Sequence, residues 1–348
     1  MAVWVDTEWA YHGLRVVRIE NECVRIDILP ELGAKIWNLV HKPTGRNLLW
    51  HNPNLPPERQ AYGAPFDHTW SGGWDELVPN DVPTEVAYGD VLPDHGEVWS
   101  QASEWEVLES GPDVASVRFV NTGRVYATRF EKTISLGSDE SLFHLAYRYT
   151  NRGLIPIDFM WNIHPALQMS AASRTDLPAQ RGFTDPWSTV FCDGGTEFEW
   201  PFLMDRTGKM VDLRLMPPES TLADVNVYLP DVRQGWYAVT DTEAGIGFGL
   251  VFPTDVLPHL WIFRPAGGWR GLYTQIVEVS NGLSTKLAVG RETGRCGHLE
   301  PGRSLDAAVL AVVYSDVGSV TSIEPDGRVI GPAVAPDVGA GGVSTQRR

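Results

Sequence analysis

Apolar and polar residues alternate in short runs along most of the chain, the period-two signature of strands with one buried face. The runs VVRIENECVRIDILP (16–30) and GAKIWNLVHKPTGRNLLW (33–50) are separated and interrupted by Gly, Pro or Asn, and Lys42-Pro43-Thr44-Gly45 supplies a turn between two strands. HNPNLPPERQAYGAP then reads as a loop of the kind that covers a site. After residue 104 the rhythm resumes, with turns at Gly-Pro-Asp, Asn-Thr-Gly and Gly-Ser-Asp marking three or four consecutive antiparallel strands. Phe143, Leu145, Tyr147 and Tyr149 alternate with His144, Ala146, Arg148 and Thr150, which predicts an apolar face and leaves His144 on the sheet surface. Residues 171–213 read as loop-rich, with room for a short helix or two. Strands return from Val225, ending in a long apolar one after Pro301-Gly302. No amphipathic run of three helical turns occurs, so the fold class is all-β and antiparallel with few short helices. Residues 1–315 are expected to form a single domain. The tail 316–348, rich in Gly, Pro and small residues, is expected to be mobile or loosely packed.

The composition narrows the functions. At 348 residues, with 43% hydrophobic and 21% charged residues, the chain can bury a large core. A formal net charge of −16 repels nucleic acid and anionic membranes, and no Lys/Arg run offsets it. Cys23, Cys192 and Cys296 lack the spacing of a disulfide framework or zinc site. The start, MAVWVDTEWAYHG, lacks a basic segment followed by an apolar run, and no apolar stretch approaches eighteen residues, so a cytoplasmic location is expected.

Four stretches carry candidate chemistry: SGGWDELVPND (71–81), LPDHGEVWSQASEW (92–105), WNIHPAL (161–167) and LYTQIVEVSNG (272–282). The chain has 14 tryptophans, and Trp70, Trp74, Trp99, Trp105, Trp161, Trp261 and Trp269 fall in or near these stretches, as expected where sugar rings stack on apolar surfaces. Together, a GG-plus-acid loop, an HG segment, a strand ending in W-N-x-H-P and a late strand delivering V-E resemble the aldose 1-epimerase (galactose mutarotase-like) superfamily across most of residues 15–315. The resemblance implies an antiparallel β-supersandwich with a sugar cleft on one sheet. It also implies Glu278 as the base that takes the anomeric hydroxyl proton, His164 as the acid that protonates the ring oxygen, and His95 as the residue holding that oxygen and its neighbours. Asp224 matches a sugar-hydroxyl ligand. The chain departs from the best-known members in WNIHPA, in Val279-Ser280 after the glutamate, and in Trp74, Asp75 and Glu76 where an arginine often stands.

The residues support this chemistry in their own right. Opening a hemiacetal needs one group to accept a proton and another to donate one, each worth about 10² to 10⁴ in rate, and a carboxylate with an imidazole serves near neutral pH. No cofactor or metal is required. Alternation puts Glu278 on the face of Ile276, where apolar neighbours raise its proton affinity. Gly72-Gly73 allows close backbone approach, and Trp74, Asp75 and Glu76 offer a ring and two acceptors to hydroxyls. Glu97, Trp161 and Trp261 complete the candidate binding set. Arg264 and Arg270 suit a phosphate or carboxylate, which would indicate a hexose-6-phosphate 1-epimerase. A non-catalytic carbohydrate-binding or regulatory protein is the competing class, and a lyase or glycoside-processing domain a further one. The expected partner is a monosaccharide or a derivative of one, bound by a monomer or homodimer.

Overall fold

The computed structural model describes residues 2–186 and 192–333. Two antiparallel sheets face each other. Among the described residues the larger has 14 strands and the smaller eight. The larger sheet begins with the meander Trp4–Tyr11, Leu14–Glu20, Val24–Leu29 and Lys35–His41. It continues through the short strand Trp74–Leu77 to Asn162–Gln168, Thr274–Ser280, His259–Ala266 and Ala223–Leu229. The smaller sheet runs from Ser173–Asp176 through Trp236–Asp241, Ile246–Val251, Ser304–Tyr314, Leu142–Asn151, Thr128–Gly137 and Val114–Thr122 to Glu104–Ser110.

One apolar core fills the space between the sheets. Ile26, Ile28 and Ile36 enter it from the large sheet, and Phe143, Leu145, Tyr147 and Tyr149 from the small one, while His144 is exposed on the outer surface. The turn at residues 42–45 closes as expected, with Gly45 N–H donating to the His41 carbonyl at 2.9 Å. Helix is confined to Phe66–Thr69, Leu287–Thr293 and three one-turn 3₁₀ segments among the described residues. The middle of the chain, read as loop-rich with room for a short helix or two, contains short strands: Arg181–Thr184, Glu197–Glu199, Phe202–Met204 and Met210–Asp212. No helix is long and apolar enough to cross a membrane.

Residues 316–333 do not behave as a loose tail. Val320 and Ile323 are buried against Trp236, Leu310, Val312 and Tyr314, and the Val320 N–H donates to Asp176 at 2.9 Å. Gly and Pro there shape the chain, while two well-placed apolar side chains suffice to dock it. Residues 334–348 lie outside the described part.

Candidate active site

Alternation along four neighbouring strands of the large sheet decides what reaches its outer face. On Asn162–Gln168, Ile163 and Leu167 enter the core, so Asn162, His164 and Ala166 face outward. On Thr274–Ser280, Val277 and Val279 are core and Ile276 and Glu278 face outward. Leu260 and Ile262 go inward, which turns Trp261 and Phe263 outward; Val227 and Leu229 do the same for Asn226 and Tyr228. Glu278 lies directly opposite Trp261, and Trp261 opposite Tyr228. A second apolar cluster, including Trp50, Phe66, Trp70, Trp99 and Ile276, walls this outer face.

Loops close the rest of a cavity of about 470 Å³. This volume suits a small organic ligand. His95 enters from the segment after Val91–Leu92, with its backbone in the left-handed region at φ 58° and Gly96 following at 81°. A Cβ on Gly96 would meet the Val78 carbonyl oxygen at 2.2 Å, so only glycine fits the close approach that aims His95. The imidazole stacks on Phe66 with centroids 4.2 Å apart, and its Nδ1 meets Asp94 Oδ1 at 2.9 Å. The other Asp94 oxygen accepts the Phe66 N–H, tying helix Phe66–Thr69 to the same carboxylate. His95 lines the cavity, and with Nδ1 on Asp94 its other ring nitrogen, Nε2, makes no hydrogen bond to the described residues.

His164 and Glu278 are each only 5% exposed, and Nε2 of the histidine stands 4.0 Å from Oε1 of the glutamate. That is too long for a hydrogen bond but close enough for both to touch one ligand atom. Asn162 donates to Glu278 Oε2 at 2.9 Å, and Ser280 fixes the amide by donating to its oxygen at 2.5 Å. Phe66 and Trp70 present ring edges to His164.

Charges in the cavity are set by burial and by one another. Burial, reinforced by Asp81, pushes the Glu278 carboxyl up to about 8. Asp81 itself is raised to about 6, mainly by burial, with His95 opposing the shift. Burial alone would lower His95, yet Asp81 and the hydrogen bond to Asp94 outweigh it and hold the imidazolium up to about 9. His164 moves the other way: burial first, then the charges of His95 and Lys35, keep it neutral. Of the two histidines, His95 is the one that carries a proton at neutral pH.

The sequence-predicted residues separate into two groups. Glu278, His164, His95, Asp224 and Trp261 line one cavity. Trp74, Asp75, Glu76, Glu97, Trp161 and Arg264 do not. Trp74 is fully buried between the sheets against Phe143 and Phe248. Asp75 is neutralised by Lys35 at 2.9 Å. Glu76 accepts from Tyr147 at 2.8 Å, Trp161 at 3.1 Å and Lys132 at 3.5 Å, which also fixes Trp161 in the interior. Glu97 accepts the backbone N–H groups of Arg124 and Val125 at 2.7 Å and the Tyr62 hydroxyl at 2.6 Å, a loop clamp. Arg264 is buried and donates to the carbonyls of Leu213 and Leu215 and to Gln275, so it cannot meet a phosphate. Gly72 and Gly73 serve chain packing: a Cβ on the first would strike the Trp50 carbonyl oxygen at 2.3 Å.

The cavity also includes Asp94, from the HG stretch itself, and Asp67, Asp185 and Thr285, which no motif singled out. Asp185 accepts the Tyr228 hydroxyl. No Lys or Arg is among the described lining residues; Arg270 lies outside, over Trp269, donating to the Asp67 carbonyl. A larger neighbouring cavity of about 930 Å³ shares Asp185 and Thr285 but contains no histidine. Among the described residues, no group of three or more His, Cys, Asp or Glu is arranged to hold a metal.

Comparison with solved structures places the fold. A galactose mutarotase-like protein from Clostridium acetobutylicum superposes with a TM-score of 0.65 at 12% identity, over 90% of this chain and 99% of its own. The fold is that of the galactose mutarotase-like proteins. A galactose mutarotase related enzyme from Lactobacillus acidophilus matches with a TM-score of 0.62 at 15% identity, covering 86% of this chain and 97% of that one. A protein provisionally named an aldose 1-epimerase, from Klebsiella pneumoniae, matches at 0.66 and 15%, covering 89% and 83%. In sequence, residues 7–74 match a family described as a domain of unknown function, DUF5107. No curated protein matches the sequence. The mutarotase-like fold thus carries a site whose chemistry has to be argued from its own side chains.

Proposed function

We propose that this cavity interconverts the anomers of an aldose by acid/base ring opening. The observation that carries the reading is the convergence of Glu278, His164 and His95 on one half-open, tryptophan-walled cavity, from strands and a loop far apart in sequence. The Glu278 carboxylate takes the proton of the anomeric hydroxyl while His95 Nε2–H delivers one to the ring oxygen, and the bond between C1 and that oxygen breaks to leave the free aldehyde. Rotation about C1–C2 and the reverse proton transfers close the ring on the opposite face, so protons and electrons balance without a co-reactant. The sequence resemblance assigned the acid role to His164. Its burial makes His95 the better donor, with neutral His164 holding a hydroxyl beside Glu278.

Trp261, held by its indole N–H to the Gly282 carbonyl at 2.9 Å, offers a fixed apolar face to the sugar, as do Trp70 and Trp269. Asp224 and Asn226 supply acceptors and a donor for hydroxyls. The lack of Lys and Arg among the described lining residues favours an unphosphorylated sugar. Polarimetry of freshly dissolved α-aldoses tests the proposal. Wild type should speed the approach to rotational equilibrium for at least one neutral aldose, and Glu278→Gln should lose 10² or more of that gain. Equal rates with and without protein across the panel would reject it.

A further inference from the structure

We propose that the sugar accepted here carries a protonated amine, received by the Asp81 carboxylate; this rests on the anomer-exchange reading of the same cavity. Six acidic side chains line it: Asp67, Asp81, Asp94, Asp185, Asp224 and Glu278. Four already have donors, since Asp94 is held by His95 and the Phe66 N–H, Asp185 by the Tyr228 hydroxyl, Asp224 by the Trp269 N–H at 2.9 Å and Glu278 by Asn162. Asp81 is different. Its side chain is only 8% exposed and lines the cavity, yet its carboxylate makes no hydrogen bond or ion pair with the described residues.

A buried carboxylate without a donor is costly, and a native site that keeps one gains most from a ligand that supplies it. A sugar hydroxyl offers one neutral donor. An ammonium offers three donors and cancels the charge, and hydrogen bonds between charged groups are about twice as strong as neutral ones. The surroundings favour the cation further: the one positive group among the described lining residues is His95, whose charge Asp94 and Asp81 share, against six acidic side chains. The same field disfavours uronates and sugar phosphates. The His95 N–H donates to the Asp81 carbonyl at 2.5 Å, so the amine-binding carboxylate and the proton-donating imidazole are fixed to one another through the backbone.

The test compares 2-amino- and 6-amino-aldoses with their hydroxyl parents and N-acetyl forms. Anomer exchange is followed by saturation-transfer NMR and affinity by titration. For wild type, one amino sugar should exceed its parent at least tenfold in kcat/KM, acetylation should abolish the advantage, and Asp81→Asn should bring the ratio close to one. Equal rates for amine and parent, or a preference that survives Asp81→Asn, would overturn the inference while leaving the anomer-exchange reading intact. If no sugar exchanges, that reading fails, and titration decides the inference alone: tighter binding of the amine by tenfold supports it, and equal affinities refute it.

Discussion

Glu278 and His95 have opposite chemistry because of what surrounds each, and their pH behaviour follows. Activity requires ionised Glu278 and protonated His95, so it should rise as pH passes about 8 and fall as it passes about 9. A bell-shaped kcat/KM profile with its maximum between those values is the expected result; a maximum near pH 6 would show that another pair acts. Stability moves in the same window. The folded chain holds the Glu278 proton up to about 8 against an ordinary value of 4.5, so the advantage of its neutral form is lost as pH rises from 4.5 through 8. His95 is raised from 6.5 to about 9, and its contribution is full below 6.5 and gone above 9. Glu278→Gln removes the first loss, and denaturant unfolding at pH 9 should find it more stable than wild type by about 2–4 kcal/mol.

At the scale of elements, the strand carrying Glu278 was legible because period-two alternation needs only local sequence: Ile276 and Glu278 share a face, as the pattern requires. Trp74, Asp75 and Glu76 misled for a reason local sequence cannot reveal. They form a buried strand in which Trp74 and Glu76 face the second sheet and Asp75 the opposite side, and the cations beside its acids, Lys35 and Lys132, lie 40 and 56 residues away. A GG-W-D-E loop and a buried strand with remote partners read alike. The HG dipeptide was legible as a candidate, but its geometric demand was not. Gly96→Ala would place a methyl against the Val78 carbonyl at positive φ, and chemical denaturation should find it destabilised by about 2 kcal/mol or more, with the exchange rate falling as His95 shifts.

At the scale of the molecule, the two large sheets pack around the main core, with the cavity on the outer face of the larger. The all-β class and most strand positions follow from the alternation of residues. How four distant stretches meet does not, since it depends on non-local strand order: Trp74–Leu77 beside Asn162–Gln168, beside Thr274–Ser280, beside His259–Ala266. Residues 316–333 were read as loose because their polar and small residues hide the apolar ones that dock. Ile323→Ala should cost about 2–4 kcal/mol in denaturant unfolding, where a loose tail would cost nothing.

The central claim is that one carboxyl and one imidazolium in this cavity open a sugar ring. Saturation-transfer NMR between α and β anomers, recorded at pH 8.5 with wild type, Glu278→Gln and His95→Gln, addresses it directly. The account predicts faster exchange for at least one aldose with wild type and a loss of 10² or more in each variant. Exchange that survives either substitution, or none with wild type while a sugar still binds, would contradict it.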